Sequence, residues 1–134
     1  DYAVTGVQTC ALPIYVHNLY QTYMKGSLSV ADFEKMTELG SYSVGYAIGE
    51  ELVAVGHVGM VHEKKAFIYG ILVRPDFRGV GLGRRIMNAL HAEAHIRELD
   101  LFLLTNSPVA IDLYASLGYQ SMGSMFKINI GSGD

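Results

Sequence analysis

A mixed, mostly antiparallel central sheet with one parallel strand–helix–strand unit, an α/β fold, is what this sequence predicts, on three observations. Apolar segments rich in aromatic and β-branched residues recur at 42–49, 52–61 and 66–73, joined by two and four residues. Joins that short force antiparallel pairing. A Gly-rich turn then leads into a long helical pattern, and a further apolar run, Leu99 to Thr105, follows it. A crossover of that length makes its two flanking strands parallel and right-handed. Finally, half of the 134 residues are apolar and 17% are charged, the balance of one globular domain with its own core.

The elements follow in order. Val4-Thr5-Gly6-Val7-Gln8-Thr9-Cys10-Ala11-Leu12-Pro13-Ile14 resembles the in-frame translation of a sequencing-library adapter. Residues 1–14 are therefore expected to be a non-native leader and are set aside, together with the chain's one cysteine, Cys10. Residues 15–130 form the expected single domain and 131–134 a tail. Val16, Leu19, Tyr20 and Tyr23 lie at helical spacing ahead of Gly26, which suits a C-terminal stop. Ser29 or Asp32 caps a second short helix that Gly40 ends. Glu50-Glu51 is the expected hairpin turn between the first two strands, and His62 to Lys65 the next turn. Tyr119 to Ile128 reads as two short strands or one bent strand, with Gly123 at the break.

Net charge is −3, which argues against general nucleic-acid binding. Its distribution is uneven. Arg74, Arg78, Arg84 and Arg85, with Asp76, give twelve positions a charge of +3, so the remainder carries −6. Such a local cationic patch suits a small, multiply phosphorylated ligand. No apolar run approaches a membrane span and no signal-peptide layout is visible, so a cytoplasmic protein without membrane contact is expected. His91 and His95 stand four apart on the long helix, but Ala92 occupies the glutamate position of a zinc-protease motif and no third ligand is evident. Both read as surface residues, and no metal is expected.

The patch surrounds Ile71-Leu72-Val73-Arg74-Pro75-Asp76-Phe77-Arg78-Gly79-Val80-Gly81-Leu82-Gly83-Arg84-Arg85-Ile86, on which the chain is organised. Leu82, Ile86, Leu90 and Ala94 make one apolar stripe of the helix that follows the glycines. Three alternate glycines let the backbone bend and approach a ligand closely, and a helix N-terminus presents N–H groups that favour phosphate. A dinucleotide fingerprint fails because Arg84 stands where its third glycine belongs; a nucleotide P-loop fails for want of Gly-Lys-Ser/Thr. Arg-x-x-Gly-x-Gly does fit, as Arg78-Gly79-Val80-Gly81-Leu82-Gly83, and it resembles the acyl-CoA pyrophosphate loop of the GNAT superfamily of N-acyltransferases. Downstream, Asn106-Ser107-Pro108-Val109-Ala110-Ile111-Asp112-Leu113-Tyr114-Ala115-Ser116-Leu117-Gly118-Tyr119 resembles that family's second signature. Two signatures in order, one helix and one strand apart, are more specific than either.

The resemblance implies an acetyl-CoA-dependent N-acetyltransferase with direct attack of an amine in a ternary complex. It implies that the pantetheine arm lies along Ile71, Leu72 and Val73 like a missing strand. The pyrophosphate would take N–H groups of Gly79, Val80, Gly81, Leu82, Gly83 and Arg84, with charge from Arg78. Tyr114 would protonate the departing thiolate. Asn106 or Ser107 would touch the pantetheine; the family asparagine stands seven before the tyrosine, where this chain has Ser107. The early helices would shape the acceptor side, where Tyr20, Tyr23 and Phe33 either line a groove or pack on the sheet. No carboxylate lies on strand 66–73, so Glu50, Glu51, His57 and a water relay all stay open as general base, water being preferred. The acceptor, a small-molecule or peptide amine, is not named by any motif. A homodimer is compatible with the sequence. A non-catalytic CoA-binding domain and a nucleotide-binding regulator are the competing readings.

Overall fold

A computed structural model describes residues 6–9, 13–23, 29–49, 51–105, 107–123 and 125–131. The seven strands are β1 (Gly6–Thr9), β2 (Tyr42–Ile48), β3 (Glu51–His62), β4 (Lys65–Val73), β5 (Asp100–Leu104), β6 (Gln120–Met122) and β7 (Met125–Ile128). The helices are α1 (Pro13–Tyr23), α2 (Val30–Glu38), α3 (Leu82–Arg97) and α4 (Pro108–Ser116). The strands form one sheet in the order β1-β2-β3-β4-β5-β7-β6. Every neighbouring pair is antiparallel except β4 and β5, which the α3 crossover makes parallel as expected. Residues 6–9, within the segment set aside above, form the β1 edge beside β2.

Two apolar clusters cover the two faces. Alternation along a strand separates them: Ala54 joins the cluster under α3 while its neighbour Val55 joins the one under α1 and α2. Leu82, Ile86, Met87, Leu90 and Ala94 of α3 are all buried, so the predicted stripe is the packed face. Val16, Leu19 and Tyr20 of α1 meet Phe33 of α2 on the other side. Ser29 caps α2 with its hydroxyl on the Asp32 N–H, and the Asp32 carboxylate accepts from the Ser29 N–H, a reciprocal pair that fixes where the helix starts.

One turn departs from expectation and the next falls where expected. Ile48 pairs with Glu51, which moves the first turn one residue earlier and puts Gly49 at φ 62°. Glycine there resolves the poor turn chemistry of a Glu-Glu pair, since the primed hairpin turns need positive φ. His62 pairs with Lys65, so Glu63 and Lys64, at φ 49° and 66°, form the second turn. Among the described residues, no helix is long and apolar enough to cross a membrane.

Candidate active site

The sheet opens where β4 and β5 part. They pair only through Lys65–Asp100, Ala66–Leu101 and Phe67–Phe102. Beyond that point β5 stays with β7 as far as Leu104–Met125, and β4 stays with β3 as far as Val73–Ala54. The strands therefore diverge, and Ile68 to Val73 have no β5 partner. Ile71 and Val73, two of the residues expected to meet a ligand arm, sit half-buried on the α3 side of this gap, while Leu72 turns to the α1 side.

A bulge shapes the same stretch. His57 pairs with Tyr69 and Val55 with Leu72, so Gly56 alone on β3 opposes Gly70 and Ile71 on β4. Gly70 takes φ 65°. A glycine inside an apolar strand pattern was the available signal for this bulge.

At the end of β4 a single 3-10 turn, Pro75–Phe77, leads into the Gly-rich loop. Gly79 and Gly81 adopt φ 81° and 86°, in the left-handed region, and Gly81 is the N-cap of α3. The first bond of the helix ladder runs from the Arg85 N–H to the Gly81 carbonyl, so the helix itself leaves the N–H groups of Leu82, Gly83 and Arg84 unused. A methyl group built on Gly79, Gly81 or Gly83 would meet nothing within 4 Å. The space before the loop is open and lies at a helix N-terminus, where free N–H groups favour an anion.

The arginines divide. Arg78 donates from Nε to the Val73 carbonyl at 3.0 Å and stays exposed beside the loop. Arg84 donates to Ser116 Oγ at 3.0 Å, tying the first turn of α3 to the last of α4. Arg74 is committed elsewhere, 2.8 Å from both Glu51 and Asp76, with Tyr23 and Phe77 rings beside it. It does not belong to the cationic patch around the loop. Tyr23, Glu51 and Arg74 line a separate cavity of about 280 Å³ against α1.

Tyr114 is half-buried on α4 and packs against the core under α3. Burial pushes its phenol above the ordinary value, so it is a protonated donor at neutral pH. Its ring lies 5.7 Å from that of Tyr119, whose hydroxyl is 2.6 Å from His91 Nε2. His91 is thus a half-buried partner of Tyr119 rather than a surface residue, and burial lowers its pKa to about 4. The spacing to Tyr119, 28 residues away, is invisible in sequence. His95 is exposed, as expected. Ser107 caps α4, its hydroxyl accepting from the Ala110 N–H at 3.4 Å, while Asn106 lies outside the described residues.

Among the general-base candidates, His57 is 2% exposed, shut between the rings of Tyr20, Phe33 and Tyr69. Its Nδ1 is 2.6 Å from Ser43 Oγ, and burial holds its pKa at about 4. Glu51 is engaged by Arg74, and Glu50 lies outside the described residues. On β5 the carboxylate of Asp100 is buried and accepts from the Ile130 N–H. Among the described residues no group of three His, Cys, Asp or Glu side chains could hold a metal ion.

Comparison with known proteins gives four findings. Residues 41–121 match the family described as "Acetyltransferase (GNAT) domain". The N-alpha-acetyltransferase 20 of Dictyostelium discoideum is 32% identical over 133 residues, 95% of this chain and 67% of that protein. Among solved structures, the ribosomal-protein-S18-alanine N-acetyltransferase of Escherichia coli superposes with a TM-score of 0.78 at 18% identity, over 95% of this chain and 94% of that one. The phosphinothricin acetyltransferase of Sinorhizobium meliloti, solved in complex with AcCoA, gives 0.78 at 15% identity, over 96% and 90%. The last two share the fold.

Proposed function

The chain belongs to the GNAT acetyltransferase family and is an acyltransferase enzyme, and from that premise we propose that it moves acetyl from acetyl-CoA to a polypeptide α-amine by direct attack in a ternary complex. The observation that carries this reading is the conjunction of two openings: the gap where β4 leaves β5, and the open Gly79–Arg84 cradle at the start of α3. The relative named as an N-alpha-acetyltransferase supports the choice of acceptor. A small-molecule amine is the second reading, supported by the shared fold with an enzyme named for phosphinothricin.

Bound acetyl-CoA would supply a thioester already activated for attack, so the protein's task is positioning and proton transfer. Main-chain groups of Ile71, Leu72 and Val73 hold the donor arm as an added strand, and the N–H groups of residues 79–84 hold the diphosphate. Arg78, exposed at the loop, adds positive charge there. Burial keeps Tyr114 protonated across the neutral range; it gives its proton to the departing sulfur, and the proton released by the amine, passed through water, restores the phenol. The amine loses its extra proton to water, because His57 is shut away from the gap and β4 carries no carboxylate. The test is thiol release from acetyl-CoA with a panel of peptide and small amines. Release with peptides carrying a free N-terminus, but not with N-terminally blocked ones, supports the reading. CoA binding without turnover on any amine points to a non-catalytic CoA-binding domain instead.

A further inference from the structure

We propose that Tyr20 is a positioning residue: its hydroxyl, reaching from α1 through to β4, locks the bulge at Gly70–Ile71 and so sets the main chain that faces the β4–β5 gap. The inference rests on the reading that this gap receives the acyl donor.

Tyr20 lies on the face opposite α3, is 6% exposed, and donates its hydroxyl to the Gly70 carbonyl, 50 residues away. Its ring is held by packing alone, stacked on Phe33 at 5.9 Å and beside His57 at 5.5 Å. Phenylalanine would satisfy those ring contacts equally well. Among the described residues the hydroxyl therefore has one hydrogen-bond partner, the Gly70 carbonyl.

That carbonyl sits where a bulge interrupts the ladder. Two residues of β4 stand against Gly56 of β3, so the regular ladder is broken at Gly70 and Ile71. A part-buried carbonyl without a donor costs free energy, and sliding or flattening the bulge relieves it. Glycine at 70 is required twice over. Its φ of 65° is unfavourable for other residues, and a methyl there would strike the Tyr20 hydroxyl and stand 3.0 Å from His57 Cδ2. The three elements thus meet at one point with no slack. His57 buttresses the site from β3, fixed in turn by Ser43 and stacked against Tyr69 at 5.3 Å.

The position of this lock gives it a role beyond stability. Gly70 immediately precedes Ile71, Leu72 and Val73, the residues that border the gap with no β5 partner. A shift of the bulge re-aims their N–H and carbonyl groups relative to the loop and to Tyr114, whereas the Gly79–Arg84 cradle, beyond the end of β4, keeps its shape.

Tyr20→Phe tests this by two readouts. In the free protein, backbone amide exchange at residues 70–72 is expected to quicken at least about tenfold, with α3 and β2 amides unchanged. In turnover, kcat is expected to fall about ten- to a hundredfold, with KM for acetyl-CoA within about twofold. Leu19→Ala, which loosens the same helix without touching the bulge, is expected to lower the melting temperature and leave both readouts at 70–72 and in kcat unchanged. The reciprocal Gly70→Ala, which presses a methyl on the same hydroxyl, is expected to reproduce the local exchange signature. Unchanged exchange in either bulge variant overturns the proposal, as does an equal fall of kcat in Leu19→Ala. A wild-type chain that releases no thiol contradicts the acetyl-transfer reading, and the exchange result still decides the lock.

Discussion

Alanine at Gly81 and at Gly83 makes opposite demands on the loop, and the contrast follows from the backbone. Gly81 sits at φ 86° and ψ 12°, where an L-residue costs about 1–2 kcal/mol. No atom lies within 4 Å of the added methyl, so this backbone strain is the whole effect. If the free chain relaxes the strain by turning the loop away, binding must restore it, and CoA affinity falls about 5–30-fold. If the loop holds its shape, the cost appears as stability, a melting temperature lower by about 4–7 °C. Gly83 is helical, with no left-handed φ, and its methyl also meets open space. Gly83→Ala is therefore expected to stabilise the free protein by about 0.5–1 kcal/mol. The same methyl stands on the surface that phosphate oxygens must approach, so CoA affinity falls although stability rises. Calorimetric titration with CoA, run beside thermal melts of both variants, reads all four quantities. A Gly83→Ala protein that binds CoA within twofold of wild type would refute the reasoning, because the glycine would then face no ligand.

Other predictions are shorter. Tyr114→Phe is expected to lower kcat about tenfold or more while CoA affinity by titration stays the same; equal turnover removes the phenol from the reaction. Since burial raises its pKa, loss of kcat from Tyr114 ionisation should begin only at a pH above that at which a free phenol ionises, which a pH–rate profile checks. Arg78→Ala is expected to weaken CoA binding and reduce its salt dependence, whereas Arg74→Ala, whose guanidinium is held by Glu51 and Asp76, changes it little. His57 takes a proton near 6.5 when unfolded but only near 4 in the fold, so the unfolded chain binds more protons between those values. Stability should be full above pH 6.5 and fall as pH drops toward 4, by at most about 1.4 kcal/mol per unit from this group, and His57→Gln should flatten that acid limb in thermal melts. Ile86→Ala, at a fully buried α3 position, should cost about 2–5 kcal/mol in urea unfolding.

Local chemistry made much of the fold legible. The four-residue spacing of Leu82, Ile86, Leu90 and Ala94 named the packed face of α3, and short joins between apolar runs dictated antiparallel order. Ser29 announced its own helix. What sequence concealed were contacts made only in three dimensions. Arg74 looked like part of a cationic loop, yet Glu51, 23 residues earlier, opens the neighbouring strand β3 and neutralises the arginine together with Asp76. His91 looked exposed because its partner Tyr119 arrives only after a strand and a helix. The bulge left a trace, Gly70 in the middle of an apolar strand, but the hydroxyl that meets it comes from a helix on the far face. Ser107 carried only a ligand reading from sequence, and the contact the structure adds is the cap of α4.

The central claim is that main-chain amides at the start of α3 grip a diphosphate while the β4 end lines the thioester arm. Amide shift mapping of the labelled protein during titration with CoA tests it most directly. The account predicts the largest shifts at residues 79–84 and 71–73, with 79–84 alone responding to adenosine diphosphate carrying a 3′-phosphate. Shifts centred elsewhere, or a loop that stays silent while CoA binds, would contradict it.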